Sequence, residues 1–318
     1  MKRAALSPPP TERGPGEGPF YFSIFMTKTT ASEQADRRSR WVTTLLLAPS
    51  AFWYLALLVA PLAVVVVFSF GERAAAGGYQ AAFTIANYLN LPARAAAFRN
   101  TLVLAPLGTI VCLLAAYPLA YYLAIKSSPR IRLFLLILVI VPFWTSFLIR
   151  TYAWMFILGG RGLPSVIEWL GLGEVRLINT PLSVLIGMVY GYLPLMVFPI
   201  FVSLERLDKR LIEAAADLGS NPWRSFLQVT LPLSAPGVIT GCMLVFILLM
   251  GEYLIPQLLG GGKVFFIGNA LVDLFLQSRN WPFGSAVAMS LVIIMLATVT
   301  IYLRVTRRYG AGRDVSLL

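Results

Sequence analysis

The chain has 318 residues, of which 58% are hydrophobic and 13% charged, whereas ordinary soluble domains are about 25% charged. Its net charge is +12, but the basic residues lie at the ends of apolar blocks and form no continuous stripe, which argues against nucleic-acid binding. Histidine is absent, and this removes the commonest general base and metal ligand and argues against hydrolytic chemistry. The composition predicts an all-α polytopic membrane protein.

The N-terminal segment, residues 1–36, is rich in Pro, Gly, Ser and charged residues, a composition that predicts disorder. Met26 precedes a short polar leader, so Met26 is an alternative start of translation. Residues 1–25 would then be an extended or misassigned start. The first apolar block, 42–70, is much longer than the apolar core of a signal peptide, which has about 7 to 15 residues. We therefore expect it to remain as the first membrane helix.

Six segments reach the length of about 20 apolar residues that a helix needs to cross a bilayer. They are 42–70, 99–124, 131–157, 181–203, 237–258 and 284–305. The third contains Arg150, which is far enough from the start of the segment to reach the opposite interface and snorkel there. Prolines within the spans predict kinks: Pro106, Pro118, Pro142, Pro194, Pro199 and Pro256.

The basic residues also predict an orientation, because cytoplasmic loops carry an excess of Lys and Arg. If the N-terminus is cytoplasmic, 18 of the 26 basic residues fall on the cytoplasmic side, and both termini lie there. The predicted organisation is a disordered segment (1–36), a membrane domain (37–308) and a C-terminal tail (309–318). The membrane domain contains a polar loop (205–236) that faces the cytoplasm.

The polar loop begins with a helical pattern. Its apolar residues recur at spacings of four, three and four, which places them on one face of a short helix. These residues are Leu207, Leu211, Ala214 and Leu218. Gly219 follows directly and is suited to end that helix, because glycine adopts the left-handed conformation of a helix C-terminus at little cost.

A second helix is predicted at about 222–231, where Asn221 is a suitable N-cap and Pro222 a suitable first helical residue. This helix carries large side chains that a water-facing loop would normally not expose. They are Trp223, Phe226 and Leu227. Either a partner or the ends of the chain's own helices must cover them, unless the loop lies on the lipid surface as an amphipathic helix.

The same loop contains a spaced motif: Glu213-Ala214-Ala215, three residues, Gly219, nine residues, Val229, one residue, then Leu231-Pro232. This spacing resembles the EAA motif of binding-protein-dependent ABC importer permeases, with valine at the position where isoleucine is usual. The resemblance implies the type I importer permease fold with six transmembrane helices. It also implies that part of the motif docks on a separate ATPase: Glu213, Ala214, Ala215, Gly219, Leu231 and Pro232.

The resemblance implies partners as well. They are two ATPase subunits, a second homologous permease and a periplasmic solute-binding protein, assembled in a bacterial inner membrane and working by ATP-driven alternating access. ATP and Mg are then bound by the ATPase, and no cofactor is expected in this chain. The run Gly260-Gly261-Gly262-Lys263 superficially matches a phosphate-binding loop, but Val264 follows the lysine and Gln257 stands where the first glycine is required.

Two further stretches, 251–261 and 280–284, resemble the corresponding parts of spermidine/putrescine permease subunits. The resemblance implies a polyamine such as spermidine or putrescine as the solute. Similar permeases are assigned to opines, phosphonates and amino-acid derivatives, so another small polar solute stays open. The outward regions carry more basic than acidic residues, so charge does not identify the ligand.

Three residues are candidates for the substrate path. Glu252 falls inside the fifth predicted span, where a charge costs on the order of 2.5–3.5 kcal/mol. A cationic solute would offset this cost, but so would a nearby arginine, a helix N-terminus or exposure at the interface. Tyr253 offers a cation–π face, although aromatic residues are also common at membrane interfaces. Asp273 is a weaker candidate in an outward segment.

Two other classes of protein remain as alternatives. An ion-coupled secondary transporter or channel would more often show paired membrane carboxylates, broken helices or an internal repeat, and no convincing repeat is present. A membrane-embedded enzyme would need a cluster of His or carboxylate residues. Cys112 and Cys242 lie inside apolar blocks without CxxC spacing, so neither a disulfide framework nor a metal site is expected.

Overall fold

The computed structural model describes residue 43 and residues 45–310, with side chains as far as Arg304. The predictions for 1–36 and for the tail beyond residue 310 lie outside these residues. The first described helix, α1 (Leu45–Ser69), is long and apolar enough to cross a membrane. Its residues up to Val64 belong to one unit, and the residues from Val65 onward form a second, compact unit.

The compact unit starts with an antiparallel hairpin, β1 (Glu72–Arg73) and β2 (Tyr79–Gln80). The remaining described elements are helices, and in chain order they are α2 (Ala86–Leu89), α3 (Leu91–Lys126), α4 (Pro129–Trp144), α5 (Phe147–Leu158), α6 (Leu163–Trp169), α7 (Pro181–Glu205), α8 (Arg210–Asp217), α9 (Pro222–Met250), α10 (Leu254–Leu259), α11 (Ile267–Gln277) and α12 (Trp281–Gly310).

Among the described helices, α1, α3, α7, α9 and α12 are each long and apolar enough to cross a membrane, and α4 with its continuation makes a sixth if that pair crosses once. The third predicted span, 131–157, is broken rather than only kinked at Pro142, because the chain bends by 94° after Trp144. Thr145 and Ser146 leave the helical conformation, with ψ of 153° and 130°. The Thr145 hydroxyl donates to the Pro142 carbonyl at 2.7 Å, a local bond that competes with helix continuation.

The fifth predicted span, 237–258, is wrong at both ends. Helix α9 begins at Pro222, so the short helix predicted at about 222–231 is its first part and not a separate element. The helix ends at Met250 and the chain becomes helical again only at Leu254. The polar loop is therefore α8, a turn and the beginning of α9.

Helix α7 lies at the centre of the compact unit and packs against α3 and α9. Its buried side chains include those of Met188, Met196 and Ile200. The approach of α9 to α7 is close at Gly237, where a Cβ atom would lie 2.4 Å from the carbonyl oxygen of Pro199. This packing holds α9 against α7 along the stretch between the polar loop and the break after Met250.

Candidate functional site

The end of α8 has the geometry that the sequence predicts. Gly219 has a φ of +82°, in the left-handed region where glycine is favoured. Its N–H donates to the carbonyl of Ala216 at 2.9 Å, and the N–H of Ser220 donates to the carbonyl of Ala215 at 3.0 Å. This pair of bonds is the Schellman motif. A Cβ atom at Gly219 would meet no atom within 4 Å, so the requirement for glycine is conformational.

The beginning of α9 also matches the sequence. The side-chain oxygen of Asn221 accepts a hydrogen bond from the N–H of Arg224 at 2.8 Å, and Pro222 occupies the first turn. Asn221 is thus the N-cap, and Pro222 lies where its missing N–H costs nothing. Only the length of the helix that follows differs from the prediction.

The large side chains at the start of α9 are covered only in part. Phe226 packs edge-on against Tyr117 and Tyr121 of α3, with ring centroids 5.6 and 5.9 Å apart. Trp223 stacks on Phe226 at 5.6 Å but remains 67% exposed, and Leu227 is 42% exposed. The chain's own helices therefore cover Phe226 and leave Trp223 open.

Polar contacts also hold the polar loop to α3 and α4. The Lys209 ammonium group donates to the carbonyl of Ile125 at 3.4 Å, and the hydroxyl groups of Tyr117 and Ser234 lie 2.9 Å apart. The last residue of α7, Glu205, pairs with Arg132 of α4 at 2.8 Å. The loop is thus joined to α7 and α9 by the chain and to α3 by side-chain contacts.

Helix α8 packs against the first part of α9, but much of its predicted apolar face is exposed. Leu218 is 90% exposed and Leu211 is 48% exposed. Glu213 and Ala214 of the motif are exposed, and Ala215 is half-buried. Single exposed leucines are common, but here they share one short loop with the exposed Trp223. The arrangement offers apolar surface and a carboxylate to another molecule.

The last residues of the motif, Leu231 and Pro232, are exposed in the first turns of α9. Nearby, an open groove of about 650 Å³ is lined by residues of α7 and α9 and runs to α8. Its lining is mostly apolar and includes Val202, Leu211 and Pro236. The motif residues thus lie along one edge of the compact unit and do not converge on a single pocket.

Glu252 lies at the break between α9 and α10, which corrects the prediction that it sits inside a spanning helix. It is only 6% exposed. Its Oε1 atom accepts hydrogen bonds from the backbone N–H groups of Tyr253, Leu254 and Ile255 at 3.0, 2.8 and 3.2 Å. These groups would otherwise lack partners at the start of a helix. Of the partners that the sequence left open, the structure therefore supplies a helix N-terminus.

The other oxygen of Glu252, Oε2, accepts a hydrogen bond from the hydroxyl group of Tyr192 on α7. The Tyr192 ring lies 6.0 Å from that of Phe147. The guanidinium of Arg150 is in turn 5.5 Å from the rings of Phe147 and Phe143. Among the described residues, the buried Nε of Arg150 has no hydrogen-bond partner. Among the described residues Arg150 thus forms no ion pair with Glu252, and its guanidinium lies against the two phenylalanine rings instead.

Helix α11 supports the break from another direction. The side-chain amide of Asn269 donates to the carbonyl of Tyr253 at 2.8 Å and to Gln257 Oε1 at 3.0 Å. A Cβ atom on Gly268 would lie 2.6 Å from the carbonyl oxygen of Glu252. Sequence reasoning missed both Asn269 and Gly268. The signal available for Asn269 was a lone amide inside a long apolar run.

The other two candidates for the substrate path differ in their exposure. Asp273 of α11 forms an ion pair with Arg94 at 2.7 Å, and the two side chains are 30% and 28% exposed. Tyr253 is 47% exposed. The structure therefore engages the carboxylates of Glu252 and Asp273 with groups of the same chain, and leaves the Tyr253 ring open.

Residues 116–310, more than half of the chain, match the model of the family described as "Binding-protein-dependent transport system inner membrane component". The chain belongs to this family of permeases. The permease is 41% identical over 260 residues to the "Spermidine/putrescine transport system permease protein PotB" of Haemophilus influenzae, which covers 80% of the permease and 91% of that protein. It is 39% identical to the protein of the same name from Escherichia coli, with 80% and 94% covered. It is 34% identical to the "Inner membrane ABC transporter permease protein YdcU" of Escherichia coli, with 72% and 76% covered.

The permease also resembles solved structures. One is a "bacterial ABC transporter involved in the import of the acidic polysaccharide alginate", with a TM-score of 0.69, 17% identity, and coverage of 87% of the permease and 99% of that chain. Another is the alginate ABC transporter "in complex with alginate pentasaccharide-bound periplasmic protein", with a TM-score of 0.70 and 18% identity, covering 87% and 97%. At these identities the likeness concerns the fold alone, and it confirms the predicted all-α importer permease fold.

Family membership also decides between the classes that the sequence left open. The permease is a transport subunit of an ABC importer and not an enzyme. Broken helices, which the sequence analysis associated with secondary transporters, do occur here after Trp144 and after Met250, so breaks alone do not separate these classes. In the part of the chain that the structure describes, no group of three or more His, Cys, Asp or Glu residues is placed to hold a metal ion.

Proposed function

We propose that the permease works in a bacterial importer together with a second, homologous permease, two ATPase subunits and a periplasmic solute-binding protein. The importer moves a polyamine such as spermidine or putrescine into the cell by ATP-driven alternating access. Identities of 41% and 39% to proteins named as spermidine/putrescine permeases support this solute class. In this arrangement both termini and the polar loop face the cytoplasm, and the ATPase subunits bind ATP and Mg.

The exposed apolar face of α8 is the observation that carries the docking of the ATPase. Leu211 and Leu218 have little cover within the compact unit, and burying apolar surface against a partner stabilises a complex by about 25 cal/mol per Å². Ala214 and Ala215 let the partner approach closely, and Glu213 offers it a hydrogen-bond acceptor. Gly219 ends the helix so that the chain returns to the bundle, where Leu231 and Pro232 belong to α9.

The contacts of the polar loop indicate how movement of the ATPase subunits reaches the membrane. Helix α8 follows α7 and precedes α9 in the chain, and Phe226 packs on Tyr117 and Tyr121 at the end of α3. A displacement of α8 therefore acts on three helices that pack together in the core. The long helices are suited to move as units because their packing admits discrete arrangements rather than continuous deformation.

Glu252, Tyr253 and Asp273 remain the proposed residues of the substrate path. Tyr253 is the one that presents an exposed group, because the two carboxylates are engaged by Tyr192, by backbone N–H groups and by Arg94. A tyrosine ring suits an alkylammonium solute through cation–π attraction. We therefore place the solute on the Tyr253 side of the break.

Reconstitution of the whole importer in vesicles tests this function. We expect labelled spermidine or putrescine to accumulate only when both permeases, the ATPase, ATP and the loaded binding protein are present. Accumulation by the permease alone would contradict the proposal. Unlabelled opines, phosphonates and amino-acid derivatives serve as competitors, and stronger competition by one of these than by putrescine would assign the importer to that solute.

A further inference from the structure

Most of the hydrogen-bonding capacity of the Glu252 carboxylate is already used inside the chain. Oε1 accepts from three backbone N–H groups and Oε2 from the Tyr192 hydroxyl. A carboxylate offers about four lone-pair sites, two on each oxygen, so only Oε2 has a site left. With 6% of the residue exposed, an ammonium group of a solute would have to move the groups that bury the carboxylate before it reached that site.

The charges around Glu252 also do not form a site for a cation. The donors that surround the carboxylate are neutral groups that stabilise its negative charge through hydrogen bonds, and the nearest described charged group on α5 is the Arg150 guanidinium, which lies against the Phe147 ring. The acidic residue of α11 is Asp273, and it is paired with Arg94. The contacts of the described residues therefore give Glu252 no second, unpaired carboxylate with which to bind a cation.

The hydrogen bonds of Glu252 instead fix how α10 lies on α7. Ile255 and Leu259 of α10 are buried, and they face glycines of α7. A Cβ atom on Gly187 would lie 2.8 Å from Leu259 Cδ2 and 2.9 Å from Ile255 Cγ2. Tyr192 belongs to the same helix α7 as Gly187, so its bond to Glu252 fastens the first turn of α10 beside this contact.

Tyr253 is held on both sides by these groups. Its N–H donates to Glu252 Oε1 at 3.0 Å, and its carbonyl accepts from Asn269 at 2.8 Å. Its side chain, in contrast, is 47% exposed. The backbone of Tyr253 is thus fixed while its ring stays available.

We propose that Glu252 is a positioning residue. Its carboxylate, bonded to Tyr192 and to the first turn of α10, holds the Tyr253 ring at the solute route and does not itself pair with the charge of the solute. This inference rests on the proposed function and assigns the roles within its substrate path. It predicts that hydrogen-bonding capacity at position 252 matters for uptake, and that negative charge does not.

Three variants of the reconstituted importer test it. In Glu252→Gln the side-chain carbonyl still accepts from the backbone N–H groups, and its NH₂ group donates to the Tyr192 oxygen. Glu252→Ala loses every one of these bonds, and Tyr192→Phe loses only one. We expect uptake by Glu252→Gln within about threefold of the unmodified importer, and a loss of about tenfold or more in Glu252→Ala, because only the alanine variant leaves the Tyr192 hydroxyl and the three backbone N–H groups without an acceptor or donor at position 252. Tyr192→Phe should fall between them.

The matched control is Tyr190→Phe. Tyr190 lies two residues from Tyr192 on α7, and its ring packs on Trp154. Its hydroxyl group forms no hydrogen bond within the described part of the chain, so uptake should not change. The ratio of spermidine to putrescine uptake is a second readout, because these solutes differ in charge. We expect this ratio to be the same for Glu252→Gln and the unmodified importer.

The inference is overturned if Glu252→Gln loses uptake as completely as Glu252→Ala, or if it changes the ratio of the two solutes. If Glu252→Ala fails to fold, the comparison of Tyr192→Phe with Tyr190→Phe tests the inference instead. Equal uptake by these two variants would contradict a role of the hydrogen bond between Tyr192 and Glu252. ATPase activity stimulated by the loaded binding protein is measured throughout. An unmodified complex without that activity or without polyamine uptake contradicts the proposed function and not this assignment.

Discussion

The polar loop and the break at Glu252 are both interruptions of apolar helices, but their side chains are arranged in opposite ways. In the polar loop, Leu218 and Trp223 are 90% and 67% exposed and the Glu213 carboxylate faces outward. At the break, Glu252 is 6% exposed and its oxygens are bonded to Tyr192 and to backbone groups. The loop therefore leaves apolar side chains exposed, whereas the polar groups at the break are satisfied by its own chain.

This difference separates two kinds of functional residue. A surface that must fit a partner keeps large apolar groups exposed until the partner covers them. A residue that holds the chain's own geometry has its polar atoms satisfied where it stands. Changes in the polar loop should accordingly affect assembly and coupling, and changes at the break should affect how the solute passes.

The largest effect is expected from Gly219→Val. A β-branched residue in the left-handed conformation costs about 1–2 kcal/mol, and a side chain there meets no neighbouring atom that could compensate. The end of α8 would be redirected, so we expect uptake by the assembled importer to fall by about tenfold or more. Uptake in vesicles and ATPase activity stimulated by the binding protein are the measurements.

Gly171→Val is the matched control for this change. Gly171 ends α6 with φ of +76° and with the same pair of bonds, from its own N–H to Glu168 and from the N–H of Leu172 to Ile167. It too has no atom within 4 Å of a Cβ position. The backbone cost is thus similar but falls outside the polar loop. Equal losses of uptake in the two variants would mean that the strain itself, and not the docking of α8, is responsible.

A smaller effect is expected from Leu218→Ser. If the ATPase covers this side chain, its loss removes about 1.5 kcal/mol of apolar burial, which corresponds to about a tenfold weaker affinity. Titration of the ATPase into the permease pair measures this directly. Leu172→Ser is the control, because Leu172 is 72% exposed after the equivalent turn at Gly171. Weakening of the complex by both variants to the same extent would count against a docking surface on α8.

The polar loop was predictable from the sequence because its signals are local. The left-handed glycine at 219 and the cap at Asn221 each act within a few residues and have the predicted geometry. The predicted helix also forms, but over Arg210–Asp217, so Leu207 lies before it and Leu218 directly follows it. The packing of the first residues of the following helix was not predictable in the same way. Phe226 is covered by α3, which is more than one hundred residues away in the chain.

Kinks were predicted at Pro142 and Pro256, but the full breaks after Trp144 and Met250 were missed, because hydropathy sums side chains and does not register backbone conformation. Thr145 and Ser146 lie in an apolar stretch and still leave the helix. Glu252 was recognised as a carboxylate that needs partners, but the N–H groups that satisfy it become available only because the helix stops there. Its other partner, Tyr192, is 60 residues away. Such contacts require the packing of α7, α10 and α11 to be known.

The smallest effect is expected from Asp273→Asn. The ion pair of Asp273 with Arg94 is partly exposed, and pairs of this kind contribute about 0.2–1 kcal/mol. If the pair is structural, Asp273→Asn and Arg94→Gln should each change the uptake KM by less than about threefold, and to a similar extent. A solute that binds Asp273 would separate the two variants, because only loss of the carboxylate would raise KM. Arg94→Gln would then lower KM, because it frees that carboxylate for the solute. The sign of the change in KM of this variant therefore decides whether Asp273 is a structural carboxylate, as proposed for Glu252, or a carboxylate that binds the solute.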